Sequence, residues 1–229
     1  MSDLIQPKPL VERFRPTTWS QVVGQEKAVA TLRRFASAGQ LGGRNYWISG
    51  TSGQGKTTLA RLIASELAEP WNIEEMDAAE LTAAKMDAIR AALYYRGIGE
   101  RIGRVWIINE AHGFRADQVR KLLCLVEPEG GLPSHCAFVF TTTVEGQKLL
   151  FDGCDDAGPL MSRCTRIALS QRSGPAIIDR VMEIARAAGL DGKPRTAYER
   201  LHEACKGNMR AMLQAVEAGE MLAGKDGEQ

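Results

Sequence analysis

Apolar and polar positions follow one another along the first 170 residues in the order typical of alternating strands and helices. Continuous apolar runs predict strands buried on both faces, as in a parallel sheet. The predicted strands are Tyr46–Ser49, Asn72–Met76, Val105–Ile108, Ala137–Phe140 and Thr165–Leu169. Helical spacing marks Gly24–Gln40, the segment that ends near Leu67, Ala83–Tyr95 and Gln118–Val126. This alternation predicts an α/β fold with a parallel five-stranded sheet flanked by helices.

The pattern changes after Ser173, where strands give way to helices alone. The helical stretches are Ala176–Ala188, Thr196–Cys205 and Asn208–Leu222. Glycine-containing breaks separate them, so a small three-helix lid domain is predicted. The predicted division is an α/β core at 1–171, the lid at 172–222 and a polar tail at 223–229.

The most specific motif lies between the first strand and its helix, where 50–57 reads G-T-S-G-Q-G-K-T. This is the G-x-x-x-x-G-K-T phosphate-binding loop, in the strand–loop–helix context that it needs. Its glycines let backbone N–H groups face phosphates, and the helix adds its positive end. The predicted nucleotide-binding residues are Gly50, Thr51, Ser52, Gly53, Gln54, Gly55, Lys56, Thr57 and Thr58. A Gly-Lys turn that binds nothing is the alternative.

Two of these loop residues have predicted chemical roles. Lys56 is expected to meet the β- and γ-phosphates, and Thr57 to offer its hydroxyl to Mg²⁺. The third strand ends in Asn109-Glu110, and Glu110 is the predicted carboxylate that activates water. Asn109 stands where an aspartate normally supports the Mg²⁺ shell, and its lack of charge predicts weaker Mg²⁺ coupling and slow turnover. The alternative is that this pair merely caps the strand.

Three further residues have weaker signals. Thr143 follows the fourth strand, where a hydroxyl can bond the γ-phosphate or the attacking water, although threonine favours strands in any case. Arg163 precedes the last strand and can reach a neighbour's nucleotide, but spacing alone favours a surface arginine. Arg210, near the start of the last helix, can reach the γ-phosphate. The three histidines show no ligand spacing and are interpreted as structural.

The net charge of +1 excludes a basic footprint for nucleic acid over the whole protein. A local basic segment remains at Lys85–Arg104, and it contains Tyr94 and Tyr95. Its candidate DNA contacts are Lys85, Arg90, Arg96 and Arg101. A solvated helix face explains the same residues equally well.

Composition narrows the class of protein. Hydrophobic residues form 44% of the chain and charged residues 25%, as in ordinary globular proteins. No apolar run approaches the ~20 residues that span a bilayer, and the first residues show no secretory signal, so a cytoplasmic location is predicted. The five cysteines include no C-x-x-C pair, and therefore neither a disulfide framework nor zinc is expected.

These motifs together resemble the AAA+ ATPase subunits of DNA sliding-clamp loaders, especially the bacterial DNA polymerase III gamma/tau subunit and, more distantly, replication factor C small subunits. The matching features are Glu12–Pro16 with Val22–Glu26 (N-terminal signature), Gly50–Thr57 (Walker A), Met76–Ala79, Asn109–His112 (Walker B), Thr143 (sensor 1), Ser162–Cys164 and Gly207–Arg210 (sensor 2). The resemblance implies that Arg15 and Val23 lie near the adenine and that Arg163 acts on the neighbouring subunit.

The resemblance also implies function. It implies ATP and Mg²⁺ as cofactors, hydrolysis to ADP and phosphate, and ATP bound between core and lid. The implied partners are a homo- or hetero-oligomeric ring, DNA, and a sliding clamp or another replication protein. The chain departs from the family in Asn109, in an insertion at Leu150–Pro159, and in lacking counterparts of the zinc module and collar domain.

Two other functions remain open at this point. Asn109 motivates a nucleotide-binding scaffold subunit with little hydrolysis. The near-neutral charge and the missing collar motivate an AAA+ remodeller of a protein partner.

Overall fold

The computed structural model describes residues 8–170 and 174–223, and it divides the chain into two compact units. One unit is Glu26–Leu169. The other joins the described residues before Glu26 to those from Ser170 onward. The segment before Glu26 therefore clusters with the C-terminal helices, whereas the sequence assigns it to the core. The functional boundaries of core and lid stay a prediction, and most of the predicted tail lies outside the described residues.

The larger unit is built on one parallel sheet. Its strands are β1 (Arg44–Ser49), β2 (Ile73–Asp77), β3 (Arg104–Asn109), β4 (Cys136–Thr142) and β5 (Thr165–Ala168). They lie in the order β2-β3-β4-β1-β5, and every neighbouring pair is parallel. The predicted five-stranded parallel sheet is confirmed. All seven residues of β4 are buried, which explains why this strand appears in the sequence as an unbroken apolar run.

Helices connect the strands and form the second unit. They are α1 (Leu10–Arg13), α2 (Glu26–Ser37), α3 (Lys56–Leu67), α4 (Ala83–Ala92), α5 (Ala116–Val126), α6 (Val144–Gly153), α7 (Ala157–Ser162), α8 (Gly174–Ala187), α9 (Arg195–Ala204) and α10 (Met209–Glu217). The predicted insertion at 150–159 is largely helical, because it forms the end of α6 and the start of α7. Among the described helices, none is long and apolar enough to cross a membrane.

An aromatic column fills the core on one face of the sheet. Trp106 of β3 stacks on Phe138 of β4 with ring centroids 5.1 Å apart, and Phe138 is 6.2 Å from Phe140. Trp47 of β1 reaches Phe140 at 5.6 Å. All four rings are almost fully buried. Aromatic pairs at these separations add attraction beyond the area that they bury, so they tie the three central strands together.

The smaller unit is a helical cluster around α8, α9 and α10. Leu10 of α1 is buried in the same cluster, and its N–H donates to the Glu217 carboxylate of α10 over 3.0 Å. Asn208 caps α10 by accepting from the N–H groups of Arg210 and Ala211. These contacts explain why residues near the N-terminus belong to the C-terminal unit.

The cysteines behave as reduced structural thiols. Burial raises the pKa of Cys136 to about 12 and that of Cys164 to about 12, so both stay protonated near neutral pH. Within 8–170 and 174–223, no group of three or more His, Cys, Asp and Glu side chains is placed to hold a metal. The expected absence of zinc stays a prediction.

Replacing Phe138 with alanine should destabilise the larger unit by about 3–5 kcal/mol, because it opens a cavity between two stacked rings. Urea unfolding followed by tryptophan fluorescence measures this loss. Tyr94→Ala is the control, since that ring is 78% exposed and its removal should change the free energy of unfolding by less than about 0.5 kcal/mol. Equal effects of the two changes would contradict the assigned core.

Candidate functional site

The glycine-rich loop leaves the end of β1 and enters α3 at Lys56. Gly53 (φ 78°) and Gly55 (φ 95°) both occupy the left-handed region that side chains other than glycine rarely adopt. A Cβ on Gly50 would lie 2.6 Å from Gln54 Oε1 and 2.9 Å from Leu169 Cβ. The glycines are therefore required by backbone conformation at two positions and by space at a third.

The loop is held closed by two of its own side chains. Gln54 Oε1 accepts the N–H of Thr51 over 2.8 Å. The buried Lys56 amino group donates to the carbonyls of Gly50 and Thr51, each over 3.0 Å. The single positive charge of the loop thus lies above its backbone and beside the first turn of α3. Anions are favoured at this point, because the helix start adds a partial positive charge.

Three polar side chains lie together beside the loop, those of Thr57, Asn109 and Thr141. The Thr141 hydroxyl donates to Asn109 Oδ1 over 2.9 Å, and the Thr57 hydroxyl lies 3.4 Å from the same oxygen. Thr141 is 1% exposed and reaches Asn109 from the neighbouring strand. The predicted pair of Thr57 and Asn109 is therefore adjacent in the fold, and both offer neutral oxygen atoms.

A carboxylate lies directly behind Asn109. Glu75 of β2 accepts from Asn109 Nδ2 over 2.8 Å, and Arg61 of α3 pairs with the same carboxylate over 2.7 Å. Neither residue is predicted from the sequence. They are polar positions on an edge strand and a helix, and only the pairing of β2 with β3 brings them to the end of the loop.

Glu110 has an unusual backbone conformation. Its φ of 51° and ψ of 44° place it in the left-handed region, where a residue other than glycine is uncommon. Its exposed carboxylate lies 3.4 Å from His112 Nδ1, which is also 3.3 Å from the Thr142 hydroxyl. His112 was interpreted from the sequence as structural, yet it contacts the predicted catalytic carboxylate. The turn at Glu110 directs its side chain away from the path of β3.

Thr143 follows β4 and caps α6, where its hydroxyl accepts the N–H of Gly146 over 3.0 Å. A hydroxyl that accepts one hydrogen bond still has a proton to donate, so the predicted role stays open. A Cβ on Gly146 would overlap the His112 ring. Gly146 therefore leaves space for His112 beside Glu110.

Arg163 follows α7 and is engaged within its own chain. Its Nε pairs with the Glu127 carboxylate, and a terminal nitrogen donates to the Pro159 carbonyl over 3.0 Å. The side chain remains 37% exposed. The guanidinium therefore lies at the surface, held by one carboxylate and one carbonyl.

The remaining predicted nucleotide contacts belong to the smaller unit. Arg15 pairs with Glu12 near α1, and Val23 is half-buried. Arg210 is exposed in the first turn of α10. Their roles stay predictions, as do those of all the site residues.

Some basic side chains in the segment around α4 already pair with carboxylates of the same chain. Lys85 pairs with Glu74 over 2.7 Å, and Arg101 pairs with Glu69 over 3.1 Å. The hydrogen bonds from Arg101 hold the pKa of Glu69 below its ordinary value. The exposed large side chains of this region are Trp71, Tyr94, Tyr95, Ile98, Arg90 and Arg96. Two of the four predicted DNA contacts thus already have carboxylate partners.

Comparisons with known proteins agree on the family of this site. The family model "ATPase family associated with various cellular activities (AAA)" matches residues 46–171, which is more than half of the chain. DNA polymerase III subunit gamma/tau of Mycobacterium tuberculosis is 32% identical over 62% of this chain and 28% of its own length. DNA polymerase III subunit tau of Escherichia coli is 29% identical over 92% of this chain and 35% of its own.

An archaeal relative and a solved structure extend the likeness. The replication factor C small subunit of Methanosphaera stadtmanae is 28% identical over 92% of this chain and 62% of its own length. The chain thus spans less than two thirds of each of these relatives. The Thermotoga maritima RuvB Holliday junction branch migration motor has a TM-score of 0.69 at 23% identity, covering 89% of this chain and 64% of its own. At that identity the likeness concerns the fold alone.

Gly55→Ala should weaken ATP binding at least about tenfold, because a left-handed alanine costs roughly 1–2 kcal/mol and the loop shifts to avoid it. Fluorescence titration with a labelled nucleotide measures the affinity. Gly158→Ala is the matched control, since Gly158 lies in α7 and an added Cβ there meets no atom within 4 Å. Unchanged binding by Gly55→Ala would show that the loop conformation is not the one used for nucleotide.

Proposed function

The chain belongs to the AAA family of ATPases, and we propose that it binds ATP with Mg²⁺ and hydrolyses it as a clamp-loader-type subunit. The observation that supports this most directly is the site itself. The carboxyl ends of β1 and β3 bring the glycine loop, with Lys56 and Thr57, close to Asn109. Glu110 is the residue that follows Asn109 in the chain. Ligands of open α/β sheets bind at this edge.

Phosphate binding follows from the loop. Lys56 would leave the Gly50 and Thr51 carbonyls for the β- and γ-phosphates, because a triphosphate is a stronger acceptor than two neutral carbonyls. Thr57 would offer its hydroxyl to Mg²⁺, and Asn109 would accept a hydrogen bond from a metal-bound water, since Mg²⁺ usually keeps several waters and binds substrate phosphates. When bound, Mg²⁺ would neutralise charge that develops on the phosphates.

Glu110 would take the proton of the attacking water at its carboxylate. Its exposed carboxylate lies 3.4 Å from His112 Nδ1. The neutral Asn109 contributes no charge toward the metal, so we propose slow turnover. The oxygen of Asn109 still accepts a hydrogen bond from water.

The proposed assembly is an oligomeric ring in which Arg163 of one subunit acts on the nucleotide of the next. Support comes from its surface position and from the clamp-loader relatives. DNA and a sliding clamp or another replication protein are the proposed partners, because the relatives are named for DNA replication. Arg90 and Arg96 are the proposed DNA contacts, since they are exposed and lie on the basic segment.

A second function is favoured by one observation. Asn109 is neutral where the motif usually carries a charge, and this fits a nucleotide-binding scaffold with little hydrolysis. Single-turnover hydrolysis with and without primed DNA separates the two functions. Phosphate release that primed DNA stimulates supports the ATPase, whereas binding without any release supports the scaffold. Hydrolysis without DNA stimulation would favour a remodeller of a protein partner.

Glu110→Gln should abolish steady-state hydrolysis while ATP still binds, because the amide cannot accept the proton of water. A general base contributes about 10²–10⁴-fold, so the rate should fall by at least a hundredfold. Phosphate release and nucleotide affinity are measured on the same samples. Glu145→Gln removes a carboxylate from the first turn of α6 and serves as the control. Hydrolysis by Glu110→Gln at the wild-type rate would exclude Glu110 as the base.

Arg163→Ala should lower turnover about 10³-fold or more if the residue stabilises the transition state of a neighbour. Mixing tests the action in trans. Arg163→Ala subunits keep their own loop, and Lys56→Ala subunits keep Arg163, so the mixture should recover activity that neither variant has alone. Arg166→Ala, which replaces an exposed arginine on β5, is the control. A mixture as inactive as its parts would place the action of Arg163 within its own subunit.

A further inference from the structure

We propose that Glu75 is a positioning residue that orients the Asn109 amide and polarises it, so that its oxygen faces the metal side of the site. This inference rests on the proposed function, because it concerns the same Mg²⁺-nucleotide site. It goes beyond that function by assigning a role to a residue outside every motif of the sequence.

The first argument is the orientation of the Asn109 amide. Glu75 Oε1 lies 2.8 Å from Asn109 Nδ2, and a carboxylate can only accept hydrogen bonds. The NH₂ group must therefore face Glu75. The opposite atom, Oδ1, then faces the hydroxyls of Thr57 and Thr141 at 3.4 and 2.9 Å. Without Glu75 the two ends of the amide would be nearly equivalent, and the NH₂ group could face Thr57 and repel a cation.

The second argument is charge. Asn109 is neutral, but its NH₂ group donates to an ionised carboxylate, and such bonds are roughly twice as strong as neutral ones. The bond polarises the amide, so that Oδ1 becomes more negative on the side of Thr57. The Glu75 carboxylate thus supports the neutral Asn109 side chain from behind, while Arg61 balances its charge.

The third argument is that Glu75 is itself held in place. Arg61 of α3 binds the carboxylate through two nitrogens, at 2.7 and 3.3 Å. Arg61 lies on the same helix as Thr57, which is four residues earlier and so on the same face. One helix therefore supplies both Thr57 and the cation that fixes Glu75. The Glu75 side chain is 26% exposed, and its pairing with Arg61 restrains the carboxylate.

A consequence distinguishes this arrangement from a simply weakened motif. If Asn109 were only a defect, Asn109→Asp would repair it. With Glu75 in place, that substitution would put two carboxylates at hydrogen-bond distance, where neither donates and their repulsion displaces one of them. The double substitution Asn109→Asp with Glu75→Gln restores the hydrogen bond in the reverse direction. The amide at position 75 would then donate to the carboxylate at position 109.

The experiment measures how strongly Mg²⁺ enhances binding of a fluorescent ADP analogue. Titrations over a range of free Mg²⁺, and in excess EDTA, use the full chain. Glu75→Leu should weaken Mg²⁺ binding about 10–100-fold, the usual effect of losing a residue that supports a metal ligand. Glu75→Gln keeps an acceptor but loses the charge and should fall between Glu75→Leu and the wild type. Affinity in EDTA should stay unchanged in both.

The decisive comparison is the double-mutant cycle. We expect Asn109→Asp alone to bind Mg²⁺ at least about tenfold more weakly than the exchanged pair, because its two carboxylates repel each other and the carboxylate at position 109 is displaced. Asn109→Asp that binds Mg²⁺ as tightly as the exchanged pair would overturn the proposal. Glu74→Gln is the matched control, because it makes the same charge change on the adjacent residue of β2 and pairs with Lys85 instead. Thermal melting of each variant verifies folding.

Failure of the inference and failure of the proposed function give different results. If the wild type binds no nucleotide in either condition, the proposed function fails. If the wild type binds nucleotide with Mg²⁺ dependence but the cycle shows no coupling, only the assignment of Glu75 fails.

Discussion

The position of β1 between β4 and β5 is the constraint on which the site depends. β1 is hydrogen-bonded to β4 on one edge and to β5 on the other, with Ser49 opposite both Thr142 and Ala168. This register fixes where the glycine loop begins and which β4 residues stand beside it. A slip by one residue would reverse every side chain of the strand and separate Thr57 from its partners. The buried aromatic column strengthens the same alignment, because it joins β1, β3 and β4.

Much of this fold was predictable because the central strands are buried on both faces. Each appears in the sequence as a short apolar run, and β1 and β4 differ from their predicted ranges by at most two residues at either end. The phosphate loop was predictable for another reason. Backbone conformation requires glycine at Gly53 and Gly55, and lack of space requires it at Gly50. The spacing of these glycines in the sequence therefore predicts the loop.

The contacts between side chains were not predictable in the same way. Glu75 and Asn109 are 34 residues apart, and their contact exists only because β2 pairs with β3. Nothing in the spacing of either residue indicates the other. Thr141 is a similar case, since a run of three threonines does not show which one turns toward Asn109. The contact of Glu110 with His112 also arises from the tertiary structure, because the His112 ring occupies space that Gly146 leaves.

The ion pair between Arg163 and Glu127 has a consequence for how an assembly would sense its nucleotide. Before subunits meet, the Arg163 guanidinium is already paired with the Glu127 carboxylate of its own chain. In the proposed ring, a neighbouring subunit would therefore have to offer a stronger anion than one carboxylate. A triphosphate meets this requirement better than a diphosphate, and an unliganded loop that carries Lys56 repels an arginine. The ion pair with Glu127 would thus compete with the neighbouring site for Arg163. Arg163 would leave Glu127 only where the neighbour holds ATP.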